Sequence, residues 1–297
     1  MCIKYELASY FVIILLVINL NGVLLVNKPS GFTSHDVVNK LRKTLGTKKI
    51  GHTGTLDPQA TGVLMVLIGT STKILPFIKN SSKEYVAKLK FGFSSNTYDI
   101  WGDLTENPKP LPSITEVEKS LGGFVGEQKQ IPPMVSAIKV KGKKLYEYER
   151  AGKTIEVEPR EICIKELELL SYDDDLEFRC LCSSGTYIRS LCVDIAESLG
   201  QSGVMSSLVR TRIDSYSLDD CYTLDQIEKN EYKLLSNYDV LSEYRYEIMD
   251  NIEDILHGKQ IRLDCKDDIV MIVNEQIVVA AYEHVGNGIY KSKRGLW

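Results

Sequence analysis

One carboxylate is set apart by its surroundings. Asp57 lies between a leucine and a proline in GHTGTLDPQATGVLM, residues 51–65, among glycines at 51, 54 and 62 and the hydroxyls of Thr53, Thr55 and Thr61. Pro58 pushes the residue before it toward extended backbone, and the glycines let another backbone approach closely. A carboxylate aimed in this way can act as a nucleophile or assist bond cleavage. The same letters also make an ordinary turn, and locally both readings stand. Other chemistries find less support. The loop lacks the GKS or GKT ending of a P-loop, and no GxGxxG follows a strand. No G-x-S-x-G elbow points to Ser/His/Asp catalysis. The histidines (35, 52, 257, 284) lie far apart, and the seven cysteines include no CxxC pair. A metal centre and a disulfide framework are therefore not expected, and the cysteines read as reduced thiols.

The elements around this loop follow from pattern. Residues 22–26 form a short buried strand closed by the turn KPSG at 28–31. Ser34 is placed to cap a helix whose apolar face is Val37, Val38, Leu41 and Leu45, with Gly46 ending it. The apolar run 63–68 predicts a central strand, Ser71 the start of a second helix, and residues 83–93 a half-exposed strand. Residues 162–170 and 176–182 predict paired strands around Asp173, Asp174 and Asp175. GTY at 185–187 opens a helix to Leu199 ended by Gly200, and 204–213 is another core strand. From residue 252 a short helix to His257-Gly258 and strands at 269–273 and 276–282 predict a small β-rich domain.

Length and composition bound the rest. The 297 residues, 43% hydrophobic and 26% charged, suit one large domain or a main domain with a small one. The net charge of -4 hides an uneven distribution: residues 1–213 carry 27 Lys/Arg against 23 Asp/Glu, and residues 214–275 carry 6 against 16. A basic body thus precedes an acidic segment. Within the body, residues 128–165 hold nine Lys/Arg against five acids, interleaved with Tyr146 and Tyr148. That stretch is either a solvated excursion or an arm that grips phosphates.

Several motifs in order change the weight of these readings. GVLLVNKPSGFTSHDVV, GHTGTLDPQATGVL, KEYVAKLKFG, QIPPMVSAIKVKGKKLYEYER and SSGTYIRSLCVDIAESLG together closely resemble the TruB-type tRNA pseudouridine-55 synthases over residues 21–213. LHGKQIRL and the strands after it look like a shortened, divergent PUA-type domain at 251–297, with 214–250 as an acidic connection. The resemblance implies an α+β fold on a largely antiparallel sheet. It also implies isomerisation of the T-loop uridine of tRNA, position 55, to pseudouridine, in a cytoplasmic monomer with no obligate protein partner, no membrane association and no cofactor. Asp57 matches the catalytic aspartate, Arg189 the arginine that pairs with it and Tyr85 the tyrosine stacked on the base. Tyr187 and Leu208 match the lining of the uridine pocket, His52 a contact to flipped-out nucleotides, and Lys28 and Lys73 positioning lysines. The target uridine must leave its stack before a carboxylate can reach it, and residues 128–160 are the expected clamp on the T-arm. An RNA-guided or other-site synthase, or a non-catalytic tRNA-binding or folding protein on the same scaffold, are the alternatives.

The apolar run at residues 8–20 is shorter than the roughly 20 residues needed to span a bilayer. It also lacks a small-x-small cleavage site and carries Glu6 as well as Lys4 before it. Because the family resemblance begins at residue 21, the expectation is that residues 1–19 lie outside the native protein.

Overall fold

The computed structural model describes residues 20–79, 82–136, 138–153 and 155–297. The expectation about residues 1–19 falls outside them. The chain divides into two compact units. One comprises Met1–Pro58, Leu64–Lys79 and Asp219–Trp297; the other comprises Gln59–Val63 and Asn80–Leu218. The strand Thr61–Ile68 begins in the second and ends in the first. Among the described residues no helix is long and apolar enough to cross a membrane.

In the first unit the strand Gly22–Lys28 is buried at every position but one. It lies beside the strand that ends at Ile68, whose last residues pair antiparallel with Ile50–His52. The helix Ser34–Thr44 lays Val37, Val38 and Leu41 against them. Its cap is Thr33, not Ser34. Thr33 and Asp36 form a reciprocal capping box, which leaves the Ser34 hydroxyl for another partner. The segment after residue 68 is a 3-10 helix, Gly69–Phe77, beginning two residues before Ser71 and containing Pro76. Without a backbone N–H, that proline is incompatible with a regular α-helical turn. The acidic segment contributes to the core: Leu224 and Ile227 pack with Leu24 and Val26, and Tyr222 and Leu235 bridge to the Gly22–Lys28 strand. The same unit carries a small five-stranded sheet ordered Arg245–Ile248, Ile269–Asn274, Ile277–Gly286, Ile289–Gly295, Ile261–Arg262, around Val270, Ile272, Ala280, Tyr282 and Tyr290. It is the β-rich C-terminal element that the sequence pattern predicts.

In the second unit Gly203–Ile213 runs parallel to Thr61 and Gly62 and antiparallel to Ser82–Phe91. The order continues through Asp175–Ser183, Arg160–Tyr172 and Gly126–Gln130, all antiparallel. DLEFRCLCS alternates strictly, burying Leu176, Phe178, Cys180 and Cys182 and leaving the residues between them half-buried. Helix Ile188–Ser198 buries Leu191, Cys192 and Ile195, and Gly200, with φ +67°, follows it as expected. Helix Ile114–Gly123 and the hairpin of Phe93–Ser95 with Leu104–Glu106 also belong to this unit. The architecture is α+β.

Candidate active site

In the first unit the Asp57 loop is fixed from both sides. Before it, Leu56 is buried, and its N–H donates to the Ser34 hydroxyl at 2.9 Å. Ser34 Oγ in turn donates to the Leu56 carbonyl at 3.3 Å. After it, the Pro58 carbonyl accepts from Gly31 N at 3.0 Å and from Lys28 Nζ at 2.9 Å. Lys28 is fully buried, and it also donates to Pro29 O at 2.9 Å and Phe32 O at 2.6 Å. Three carbonyls thus converge on this one ammonium. The KPSG turn is therefore a brace beneath the loop, with Asp57 half-buried between its two anchored neighbours. His52 sits on the short strand paired with Val66. Lys73, on the 3-10 helix, donates to the backbone oxygen of Trp297.

The second unit presents a different set of predicted residues on one sheet and one helix. Tyr85 is 7% exposed and faces Cys180 on one neighbouring strand and Arg210 on the other. Burial pushes its phenol up to about 12, with the Arg210 charge pulling the other way, so the ring is neutral at physiological pH. Leu208, on the same strand as Arg210, is buried opposite Ala87. Arg210 is fully buried and donates from Nε to Val63 O at 2.7 Å. Gly62 makes that approach possible. It has φ +107°, and a Cβ there would stand 2.2 Å from the Arg210 carbonyl oxygen.

Tyr187 precedes helix Ile188–Ser198 and is gripped by the buried Gln130. Its N–H donates to Oε1 at 2.7 Å, and its carbonyl accepts from Nε2 at 3.1 Å. Arg189, on the first turn, is 5% exposed. It donates to Thr97 O and Val135 O, each at 2.9 Å, and stands 3.8 Å from Asp99 Oδ2. Asp99 is also buried and accepts from Thr97 Oγ1 at 2.6 Å and Trp101 N at 3.1 Å. Sequence reasoning missed Asp99, Gln130 and Arg210. None has a spacing signal, because each acquires its role from a partner more than 50 residues away.

The basic arm has its own order. Lys139–Val140 pairs with Lys143–Lys144 across a turn, and Leu145–Arg150 is a short helix anchored by the buried Leu145. Lys144 and Arg150 each stand 5.4 Å from the Tyr146 ring, and Tyr148 Oη donates to Val140 O at 3.0 Å. Both tyrosines are therefore engaged within the arm.

Known proteins provide an independent comparison. The N-terminal domain of TruB family pseudouridylate synthases matches residues 42–188, and the tRNA pseudouridylate synthase B C-terminal domain matches 189–255. A tRNA pseudouridine synthase B of Alkaliphilus oremlandii is 48% identical over 213 residues, 71% of each chain. One from Bacillus subtilis is 48% identical over 216 residues, 70% of each chain. One from Oceanobacillus iheyensis is 41% identical over 283 residues, 89% of this chain and 93% of the relative. Among solved structures, a Cbf5-Nop10-Gar1 complex aligns with a TM-score of 0.69 at 22% identity, covering 93% of this chain and 85% of that one, which is a likeness of fold. With identity of this order over most of both chains, the protein belongs to the TruB family of pseudouridylate synthases.

Proposed function

We propose that this chain converts the T-loop uridine of tRNA, position 55, to pseudouridine. The C1′–N1 glycosidic bond breaks, the uracil turns while held, and C1′ joins C5. The C5 proton is lost and N1 gains one, so no electrons are exchanged and the reaction needs no redox cofactor or metal. Asp57 supplies the carboxylate, Tyr85 an aromatic face for the base and Arg189 a guanidinium. Tyr187 and Leu208 line the uridine pocket, His52 meets flipped-out nucleotides, and Lys28 and Lys73 position the groups around them. Residues 128–160 clamp the T-arm, recognised by its folded shape and splayed bases. The enzyme acts as a cytoplasmic monomer without an obligate protein partner.

One observation carries the reading. The two residues flanking Asp57 are braced by Ser34, Gly31 and Lys28, in a chain 48% identical over 213 and 216 residues to two proteins named tRNA pseudouridine synthase B. A bracing of this kind suits a side chain that must meet one atom of a substrate. The test is incubation of full-length protein with a T-arm RNA hairpin, scoring pseudouridine at every uridine. Conversion at the T-loop position supports the proposal, and conversion confined to another uridine overturns the substrate assignment.

A further inference from the structure

Lys83 lies two residues before Tyr85 on the strand Ser82–Phe91, and the pleat places both on the same face. In register it faces Cys182 on one neighbouring strand and Ile213 on the other, as Tyr85 faces Cys180 and Arg210. Its Nζ is 3.4 Å from the hydroxyl of Ser184, in the turn leading to Tyr187 and Arg189. Glu84 and Asp214, the carboxylates beside it in sequence and just beyond Ile213, hold other hydrogen-bond partners. Glu84, on the opposite face, is held by Arg179 and Arg212 at 3.0 Å each and by Thr211 at 2.9 Å. Asp214 accepts from Ser82 N at 2.8 Å and from Ser82 Oγ at 3.1 Å. Among the described residues this half-buried amine forms no ion pair within 4.0 Å, and Asp214 acts on it from farther away.

The groups facing it are the Arg210 guanidinium from the strand Gly203–Ile213, the Cys182 thiol, Asp214 just beyond Ile213, and Tyr85 on its own strand. Burial, followed by the charge of Arg210, draws the Lys83 amine down to about 8. Two cations on one partly desolvated face, with Asp214 acting on the Lys83 amine only through longer-range charge, favour a singly charged oxyanion. Resting on the reading above, we infer that Lys83 binds a phosphodiester of the RNA backbone next to the target uridine, fixing the strand while Tyr85 meets the base. An RNA phosphate is the anion that necessarily accompanies a uridine into a site.

The test combines protein and RNA changes. Wild type, Lys83→Gln and Lys83→Arg are assayed for kcat, KM and hairpin Kd, using T-arm RNA with one neutral methylphosphonate linkage at each phosphate flanking the target uridine. Lys83→Gln is expected to raise KM and Kd about tenfold while kcat falls less than about threefold. Its log Kd against log salt should flatten by about 0.7, the value for one single-strand phosphate contact. Lys83→Arg restores affinity. Wild-type affinity weakens as pH rises through about 8, and that of Lys83→Arg does not. One neutral linkage should weaken wild type to the same degree and leave Lys83→Gln no weaker than before. The inference falls if no flanking neutral linkage changes wild-type KM or Kd, a result that requires no variant to fold. It also falls if the effects of Lys83→Gln and of every linkage simply add. Wild type that binds the hairpin but converts no uridine refutes the parent reading instead, and Kd still decides the role of Lys83.

Discussion

Lys28→Met removes the brace under the Asp57 loop while keeping an unbranched apolar stem of similar length. The wild-type side chain is fully buried and donates at 2.9, 2.6 and 2.9 Å to the carbonyls of Pro29, Phe32 and Pro58. Hydrogen bonds from a charged donor contribute about 1.5–3 kcal/mol each when broken singly. The variant also escapes the desolvation of a buried ammonium, and the Pro58 carbonyl keeps its bond from Gly31 N. The net loss is therefore set at about 3 kcal/mol, near the lower end for breaking a buried charged cluster. In a chain of this size that lowers Tm by roughly 6–12 °C. Calorimetry reads this directly. Activity is a separate consequence: with Pro58 tethered only through Gly31, Asp57 loses its aim, and a displacement of about 1 Å costs about a hundredfold in kcat. Single-turnover conversion should be measured at 20 °C, well below either melting point. An unchanged Tm refutes the energetic argument. A lowered Tm with unchanged kcat refutes the claim that the brace positions the carboxylate.

Three further outcomes follow from the same geometry. Asp99→Ala removes the 3.8 Å counter-charge from Arg189, the 2.6 Å carboxylate acceptor from Thr97 Oγ1 and the 3.1 Å acceptor from Trp101 N. Stability should fall by about 3 kcal/mol, read from the urea midpoint, and an unshifted midpoint would show that the pair is not structural. Gly62→Ala drives a Cβ to 2.2 Å from the Arg210 carbonyl at φ +107°, so it should cost about 3 kcal/mol or more. Near-wild-type urea stability would contradict this. For Lys83, an amine at about 8 against an ordinary 10.5 means that the folded state binds its proton less well than the unfolded state. The destabilisation is fully present below pH 8, shrinks as pH rises toward 10.5, and amounts to about 3 kcal/mol at its limit. Lys83→Met is thus expected to be about 2–3 kcal/mol more stable at pH 7, with the gap closing by pH 10.5. A variant less stable than wild type at pH 7 would be evidence that the amine is well paired.

Legibility of the fold varied with the range of the interactions that decide it. Strands and helices governed by local alternation were readable: DLEFRCLCS buries every second residue, and Gly46 and Gly200 follow their helices at positive φ. Where two neighbouring hydroxyls compete, the outcome depends on the tertiary partner. Ser34 looked like a cap, but the Leu56 backbone claims it and Thr33 takes the cap. The helix Ile114–Gly123 passed unread although Ser113 and Glu116 form a recognisable capping box. The acidic segment read as a connector because charge dominated the pattern. Its few apolar residues, Leu224 and Ile227, complete the core of the first unit. The candidate site divides in the same way. Asp57, Tyr85 and Arg189 are candidates through motifs, whereas Asp99 and Gln130 stand out only by being buried against Arg189 and Tyr187.

The central claim is that Asp57 performs the chemistry, and Asp57→Asn tests it with the smallest change of shape. Single-turnover conversion of the T-loop uridine, with enzyme in excess over a T-arm hairpin, separates chemistry from binding. The account predicts that Asp57→Asn melts and binds RNA like wild type yet forms pseudouridine at least about a thousandfold more slowly. Wild-type conversion by the folded variant would contradict it.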